Sequence, residues 1–102
     1  MVAVIEDKLE GVFELCRRRK VVHLYAFGSA LRDDFRPGQS DIDLLVEFAP
    51  MDGYARAQEY FDMLDELEAL FGTKVDLVMA GAVKNRYIAA DIERTKHMLY
   101  AA

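Results

Sequence analysis

Three short apolar runs, separated by longer segments with helical periodicity, limit most strongly what this chain can fold into. The runs lie at residues 21–27, 41–48 and 74–79. Their length and their content of β-branched and aromatic residues are typical of strands. Apolar residues recur every three or four positions in the other segments, which predicts helices at 2–19, 54–71 and 82–94. This order predicts a small α/β (α+β) fold, in which helices flank a mixed sheet.

The apolar positions of the helical segments predict which side of each helix faces the sheet. For the first helix they are Val2, Ile5, Leu9, Val12, Phe13 and Cys16; for the second, which ends at Gly72, they are Ala57, Phe61, Leu64, Leu67, Leu70 and Phe71; for the third they are Val83, Tyr87, Ile88 and Ile92. The first strand is predicted to be buried on both faces. Residues 97–100 are predicted to form either a short edge strand or a packed tail. The basic run 17–20 suits the negative end of a helix dipole, with a phosphate- or partner-binding role as the alternative.

Composition excludes several classes of protein. The 102 residues are enough for one domain, predicted to span 1–102. A formal net charge of −5 disfavours direct binding to nucleic acid or to an anionic membrane. Cys16 is the single cysteine, so no internal disulfide can form. No apolar run approaches the length of a membrane span, and the first residues do not resemble a signal peptide. We therefore expect a cytoplasmic protein.

Two acidic residues begin the second predicted strand. Asp41 and Asp43 are two positions apart, so their side chains leave the same face of the strand, with Cα atoms roughly 6.5–7 Å apart. Carboxylates this close raise each other's pKa unless a cation lies between them, and Mg²⁺ or Mn²⁺ would relieve the repulsion. The alternative is that the pair only marks the solvent-exposed start of a strand.

A third carboxylate strengthens the metal interpretation. Asp76 interrupts the third apolar run, where a carboxylate without a partner is costly. If the second and third strands are neighbours, Asp76 joins Asp41 and Asp43 on one face of the sheet. Three converging carboxylates could hold two metal ions, the arrangement used for in-line phosphoryl or nucleotidyl transfer.

Gly28 and Ser29 follow the first strand and precede a predicted helical turn. Glycine has no Cβ, so a ligand can approach its backbone closely, and Ser29 can cap the turn or donate to a phosphate. An ordinary turn is the alternative. The position upstream of Asp41 and Asp43 favours a site that sets a triphosphate beside the metal ions.

Together these residues resemble a known family. The segments FGSALRDDFRPGQSDIDLLVEF and KVDLV resemble the signature of the nucleotidyltransferases of the polymerase-β superfamily, and the chain length resembles their minimal members. The resemblance implies a nucleotidyltransferase fold and ATP as the substrate. Gly28 and Ser29 would hold the phosphates, with Arg32 and Ser40 as further nucleotide-binding residues. Asp41, Asp43 and Asp76 would be catalytic and would bind two Mg²⁺ ions, with Mn²⁺ as the alternative.

The resemblance also implies a partner. Such proteins are often encoded beside a HEPN-domain ribonuclease toxin, act as its antitoxin, and transfer AMP from ATP to a tyrosine of the toxin. A non-catalytic antitoxin that masks its partner is the main alternative, and the oligomeric state, homo- or hetero-oligomeric, stays open. A standalone enzyme acting on RNA or on a small-molecule hydroxyl is disfavoured, because the chain has no room for an acceptor domain.

One position departs from the pattern. Asp33 stands where many relatives have glycine, and Asp34 follows it. This charge is unfavourable near an incoming triphosphate, and Arg32 and Arg36 are expected to offset it.

Overall fold

A computed structural model describes residues 3–32 and 41–102 as one four-stranded sheet with helices. The predictions made for Val2, Asp33, Asp34, Arg36 and Ser40 lie outside these residues. The elements in chain order are α1 (Ala3–Asp7), α2 (Leu9–Arg18), β1 (Val21–Phe27), a 3₁₀ turn (Gly28–Leu31), β2 (Ile42–Phe48), α3 (Gly53–Phe71), β3 (Val75–Met79), α4 (Arg86–Thr95) and β4 (His97–Ala101).

The sheet is mixed, as predicted. The strand order is β3-β2-β1-β4, with β1 antiparallel to both β2 and β4 and with β2 parallel to β3. The parallel pair requires a crossover connection, which α3 supplies. The C-terminal residues form an edge strand rather than a packed tail.

The core lies between one face of the sheet and helices α1, α2 and α3. Its fully buried side chains include Ile5, Val12, Leu24, Leu44 and Leu67. On the strands they alternate with residues of the opposite face, which is covered less completely. The prediction that β1 is buried on both faces is therefore wrong, because Val22, His23, Tyr25 and Phe27 are only half-buried.

Burial also raises the pKa of the Cys16 thiol to about 12, so it stays protonated and serves as a packing residue.

The predicted first helix is divided at Lys8. The backbone of Lys8 is not helical, with φ −117° and ψ 17°, and its N–H donates to the carbonyl of Ile5, three residues back. Both helices still bury the predicted side, with Ile5 on α1 and with Val12 and Cys16 on α2.

Helix α3 has two overlapping apolar stripes, and the predicted one is partly wrong. Leu67 and Phe71 are buried as expected, but Ala57 and Phe61 are exposed, Phe61 at 62%. The sheet instead contacts a stripe that includes Tyr60 and Met63. The hydroxyl of Tyr60 donates to the carbonyl of Leu77 on β3 at 2.6 Å. Only folding brings these two groups together.

Helix α4 packs less closely than predicted. It begins at Arg86 rather than at residue 82, with the side chain of Asn85 accepting from the N–H groups of Tyr87 and Ile88. Ile92 is its one buried residue, whereas Tyr87 is 75% and Ile88 54% exposed. No helix in the described ranges is long and apolar enough to cross a membrane.

The basic run at the end of α2 joins that helix to α3. Arg18 Nη2 lies 2.7 Å from Glu66 Oε2, and Arg19 Nε donates to Glu66 Oε1 at 2.6 Å. Arg19 Nη1 also lies 3.3 Å from Asp62 and 3.5 Å from Glu59. These ion pairs stabilise helix packing, a role that was not among the sequence interpretations.

We expect Glu66→Gln to lower the free energy of unfolding at pH 7 by about 1 kcal/mol, near the upper end for partly exposed ion pairs. Hydrogen bonds from Arg18 come first among the causes that hold the pKa of Glu66 below its ordinary value of 4.5. A lowered pKa in the folded state means that this stabilisation is present above pH 4.5 and is lost as the pH falls through the folded pKa.

Urea unfolding of wild type and of Glu66→Gln between pH 3 and pH 7 measures this dependence. Asp65→Asn, an exposed change on the same helix, is the control and should change stability little. A stability difference between wild type and Glu66→Gln that stays constant across this pH range would contradict the assignment.

Candidate active site

Two of the three predicted carboxylates lie side by side on the less covered face of the sheet. Strands β2 and β3 are parallel neighbours, and their register pairs Asp43 with Asp76. On β2, Ile42 and Leu44 point into the core, so Asp43 between them points to the opposite face. The condition that the second and third strands are neighbours is met, so Asp76 lies on the strand beside Asp43. Asp76 is exposed, whereas its neighbours Val75 and Leu77 are buried, because Asp76 points to the less covered face of the sheet.

Asp41 completes the concentration of negative charge. It is exposed and lies immediately before β2. The pKa of Asp76 is raised above its ordinary value of 3.8, first by partial desolvation of its carboxyl group, although the residue as a whole is exposed, and then by the charges of Asp43 and Asp41 and a hydrogen bond with Asp43. Asp76 therefore holds its proton more readily than an isolated aspartate, and a bound cation would reverse this effect.

Gly28 lies directly against Asp43. Its φ is +54°, a left-handed conformation that side chains other than glycine rarely adopt. A Cβ built on Gly28 would lie 2.5 Å from Asp43 Oδ2, closer than any normal contact. From the sequence, the space beside Gly28 was predicted to admit a ligand, whereas in the structure the Asp43 carboxylate occupies it. Gly28 is thus required both by the turn and by the position of Asp43.

Ser29 holds in place the carboxylate of Asp43 and the backbone of Asp41. Its backbone N–H donates to Asp43 Oδ2 at 2.9 Å. Its hydroxyl lies 2.9 Å from the same oxygen and also contacts the backbone carbonyl of Asp41. The 3₁₀ turn and the start of β2 therefore form one unit, in which the predicted phosphate-binding residue also positions the predicted metal ligand.

The carboxylates fit a magnesium ion in their chemistry. Their donors are all oxygen, and Mg²⁺ commonly takes one or two carboxylates and completes its coordination with water and substrate phosphates. Within residues 3–32 and 41–102, no three Asp, Glu, His or Cys side chains stand assembled around a common metal position. The structure thus supplies the Asp43–Asp76 pair, with Asp41 immediately before the start of β2.

The structure also places Arg32 and Tyr60. Arg32 is exposed at the end of the 3₁₀ turn, where its N–H donates to the carbonyl of Ser29 at 3.2 Å. Tyr60 was not among the predicted site residues, and its hydroxyl donates to the carbonyl of Leu77, the residue after Asp76. Burial first, and then the charge of Asp76, raise the pKa of this hydroxyl. The only signal in the sequence was its helical spacing with Met63 and Leu67.

Comparison with known proteins agrees with this geometry. The sequence profile of the family described as "Nucleotidyltransferase domain" matches residues 10–98. A Methanocaldococcus jannaschii protein named as a candidate protein adenylyltransferase, MJ0128, is 43% identical over 93 residues, covering 90% of this chain and 91% of its own. The protein adenylyltransferase MntA of Thermococcus cleftensis is 35% identical over 72 residues, covering 71% of this chain and 69% of its own.

Solved structures show the same fold. A minimal nucleotidyltransferase superposes with a TM-score of 0.68 at 28% identity, covering 93% of this chain and 92% of its own. The complex of a tri-AMPylated Shewanella oneidensis HEPN toxin with MNT antitoxin contains a chain that matches with a TM-score of 0.64 at 21% identity, covering 95% of this chain and 72% of its own. At this identity the second likeness concerns the fold.

Proposed function

The chain belongs to the nucleotidyltransferase domain family, and on this premise we propose that it transfers AMP from ATP to a tyrosine of a HEPN-domain toxin as a Mg²⁺-dependent antitoxin. The observation that carries the proposal is the pairing of Asp43 with Asp76, with the Gly28–Ser29 turn packed against Asp43. Relatives that match most of this chain are named as protein adenylyltransferases, which supports protein as the acceptor.

Each residue of the site has a distinct role in this proposal. Asp41, Asp43 and Asp76 would hold Mg²⁺, which when bound neutralises charge on the triphosphate and lowers the pKa of the acceptor hydroxyl. Gly28 and Ser29 orient the phosphates beside Asp43. The acceptor oxygen bonds to the α-phosphorus, the bond from the α-phosphorus to the β-phosphate oxygen breaks, and pyrophosphate leaves. Asp76, on the strand beside Asp43, accepts the proton of the acceptor hydroxyl.

The proposed partner fits the properties of the chain. The net charge of −5 favours docking to a basic protein, such as one that binds RNA. We place the reaction in the cytoplasm, where ATP and the toxin's RNA substrates are available.

The test is AMP transfer to a HEPN-domain protein encoded next to this chain. With ATP and Mg²⁺, mass spectrometry of the partner should show added AMP units on a tyrosine, and chelation of Mg²⁺ with EDTA should abolish them. An unmodified partner under these conditions, with both proteins folded and in complex, would contradict the proposed function.

A second function, neutralisation by binding alone, is favoured by one observation. The outer face of α3 exposes two aromatic side chains, Tyr54 at 79% and Phe61 at 62%, on either side of the exposed Ala57. Exposed apolar patches often mark protein interfaces. The Asp41→Asn/Asp43→Asn double variant separates the two functions in cells: retained protection against the toxin supports masking, whereas lost protection with an intact complex supports catalysis.

A further inference from the structure

A groove of about 320 Å³ lies between α4 and the sheet face that carries Asp43 and Asp76. Its walls are mainly apolar and include Leu45, Val83, Ala89 and Ile92. This volume lies at the lower end of the range for small-molecule sites, about 300–1,000 Å³, and such sites are typically apolar with a few polar groups.

The groove exists because α4 stands away from the sheet with small residues beneath it. Ile92 is the one buried side chain of α4, and Ala89, three residues earlier on the same side, is only half-buried. Ala80 and Gly81 line the opposite wall. Large side chains at these positions would close the space, so the sequence leaves an apolar cleft open beside the carboxylates.

The groove is within reach of a nucleotide bound at the carboxylates. Leu45 is the next residue after Asp43 on the same face of β2, which sets the two Cα atoms about 6.5–7 Å apart. In a nucleotide only the ribose separates the base from the α-phosphate. A nucleotide whose phosphates contact Gly28, Ser29 and Asp43 can therefore extend its base along β2 into the groove.

The polar groups of the groove match a purine edge. Glu93 of α4 and Lys96, which follows the helix, form an ion pair that lines the groove, and Lys96 Nζ also lies 4.0 Å from the centroid of the Tyr25 ring. Adenine carries an amino group that donates and ring nitrogens that accept. The Glu93 carboxylate can accept from the amino group, and the Lys96 ammonium can donate to a ring nitrogen.

We propose that this groove is the base-binding site for the purine of the nucleoside triphosphate, with Ala89 and Ile92 against the ring and with Glu93 and Lys96 at its polar edge. This inference rests on the proposed function, since it concerns the nucleotide of the same reaction. The competing occupant is the aromatic ring of the acceptor tyrosine, and the experiment distinguishes the two.

Ala89→Trp fills the groove from α4. We expect it to weaken ATP binding about tenfold or more, measured by calorimetry with Mg²⁺. Binding of inorganic tripolyphosphate, which has no base, should not change. Ala90→Trp places the same side chain one residue further along α4 at an exposed position outside the groove, and it should bind both ligands like wild type.

A second measurement needs no variant and so does not depend on the folding of Ala89→Trp. Wild-type protein photolabelled with 8-azido-ATP should carry the label on Tyr25, on Leu45 or Glu47, or within residues 80–96. Label confined to other segments would overturn the proposal, as would equal ATP affinity in Ala89→Trp and wild type. If Ala89→Trp raises only the KM for the acceptor protein, the groove takes the acceptor ring and the base-binding proposal is wrong.

Failure of the proposed function has a different signature. Wild-type protein that binds neither ATP nor tripolyphosphate would overturn both proposals. Wild-type protein that binds tripolyphosphate and transfers AMP, with Ala89→Trp unaffected, would overturn the base-binding site alone.

Discussion

Asp43→Asn should reduce AMP transfer about 10²- to 10³-fold, the usual cost of removing one electrostatic group from a catalytic site. The amide has the size of the carboxylate and keeps one oxygen that can accept from the N–H of Ser29, now at 2.9 Å from Asp43 Oδ2. The fold should therefore persist, while the charge that we propose attracts Mg²⁺ is lost. The mass increment on the partner protein and the Mg²⁺ concentration required for transfer measure the effect.

Asp7→Asn is the matched control, because it removes the same charge from an exposed position at the end of α1, which packs on the opposite face of the sheet. It should transfer AMP like wild type. Undiminished transfer by Asp43→Asn would show that Asp43 is not part of the reaction centre, and the carboxylate pair would then require another explanation.

Gly28→Ala should damage stability and activity together. The φ of +54° at this position costs an L-residue roughly 1–2 kcal/mol. In addition, the new Cβ would lie 2.5 Å from Asp43 Oδ2, so the carboxylate must move. A displacement of about 1 Å in a catalytic group can cost about 10²-fold in rate. We expect transfer to fall by about that factor in protein that still folds.

Gly72→Ala separates the two effects of Gly28→Ala. Gly72 ends α3 with φ +69°, and a Cβ there would meet nothing within 4 Å. This variant should lose stability to a similar degree, because its backbone strain is similar, while it transfers AMP at the wild-type rate. Equal activity of Gly28→Ala and Gly72→Ala, compared below their melting temperatures, would contradict a role for the Gly28–Asp43 contact in catalysis.

Much of the fold was predictable because hydrophobic periodicity is a local property. The strands at β1, β2 and β3 and the end of α3 at Gly72 follow from residue type and spacing alone. Which side of α3 faces the sheet was not predictable, because the helix carries two overlapping apolar stripes and the residues of both recur at helical spacing. In the structure the stripe that includes Tyr60 packs against the sheet, and the Tyr60 hydroxyl donates to the carbonyl of Leu77.

Part of the candidate site was likewise predictable from the sequence, and part depended on tertiary structure. Asp41, Asp43 and Asp76 could be identified from sequence, because carboxylates beside or within apolar strands are conspicuous. That Asp76 stands in register with Asp43 was conditional on strand order, which depends on pairing between residues more than thirty positions apart. The contact of Gly28 with Asp43 and the groove under α4 also depend on distances between elements, which no local pattern encodes.

The sequence by itself therefore determined the first three strands, the end of α3, the acidic residues and the glycine turn, because these follow from side-chain chemistry and short-range spacing. Tertiary structure alone decided which strands are neighbours, that Ser29 binds Asp43, and that α4 leaves a groove beside the carboxylates. The physical reason is that alternative helix faces and strand registers are nearly equal in local sequence preference. Only packing in the complete core makes one of them more stable than the others.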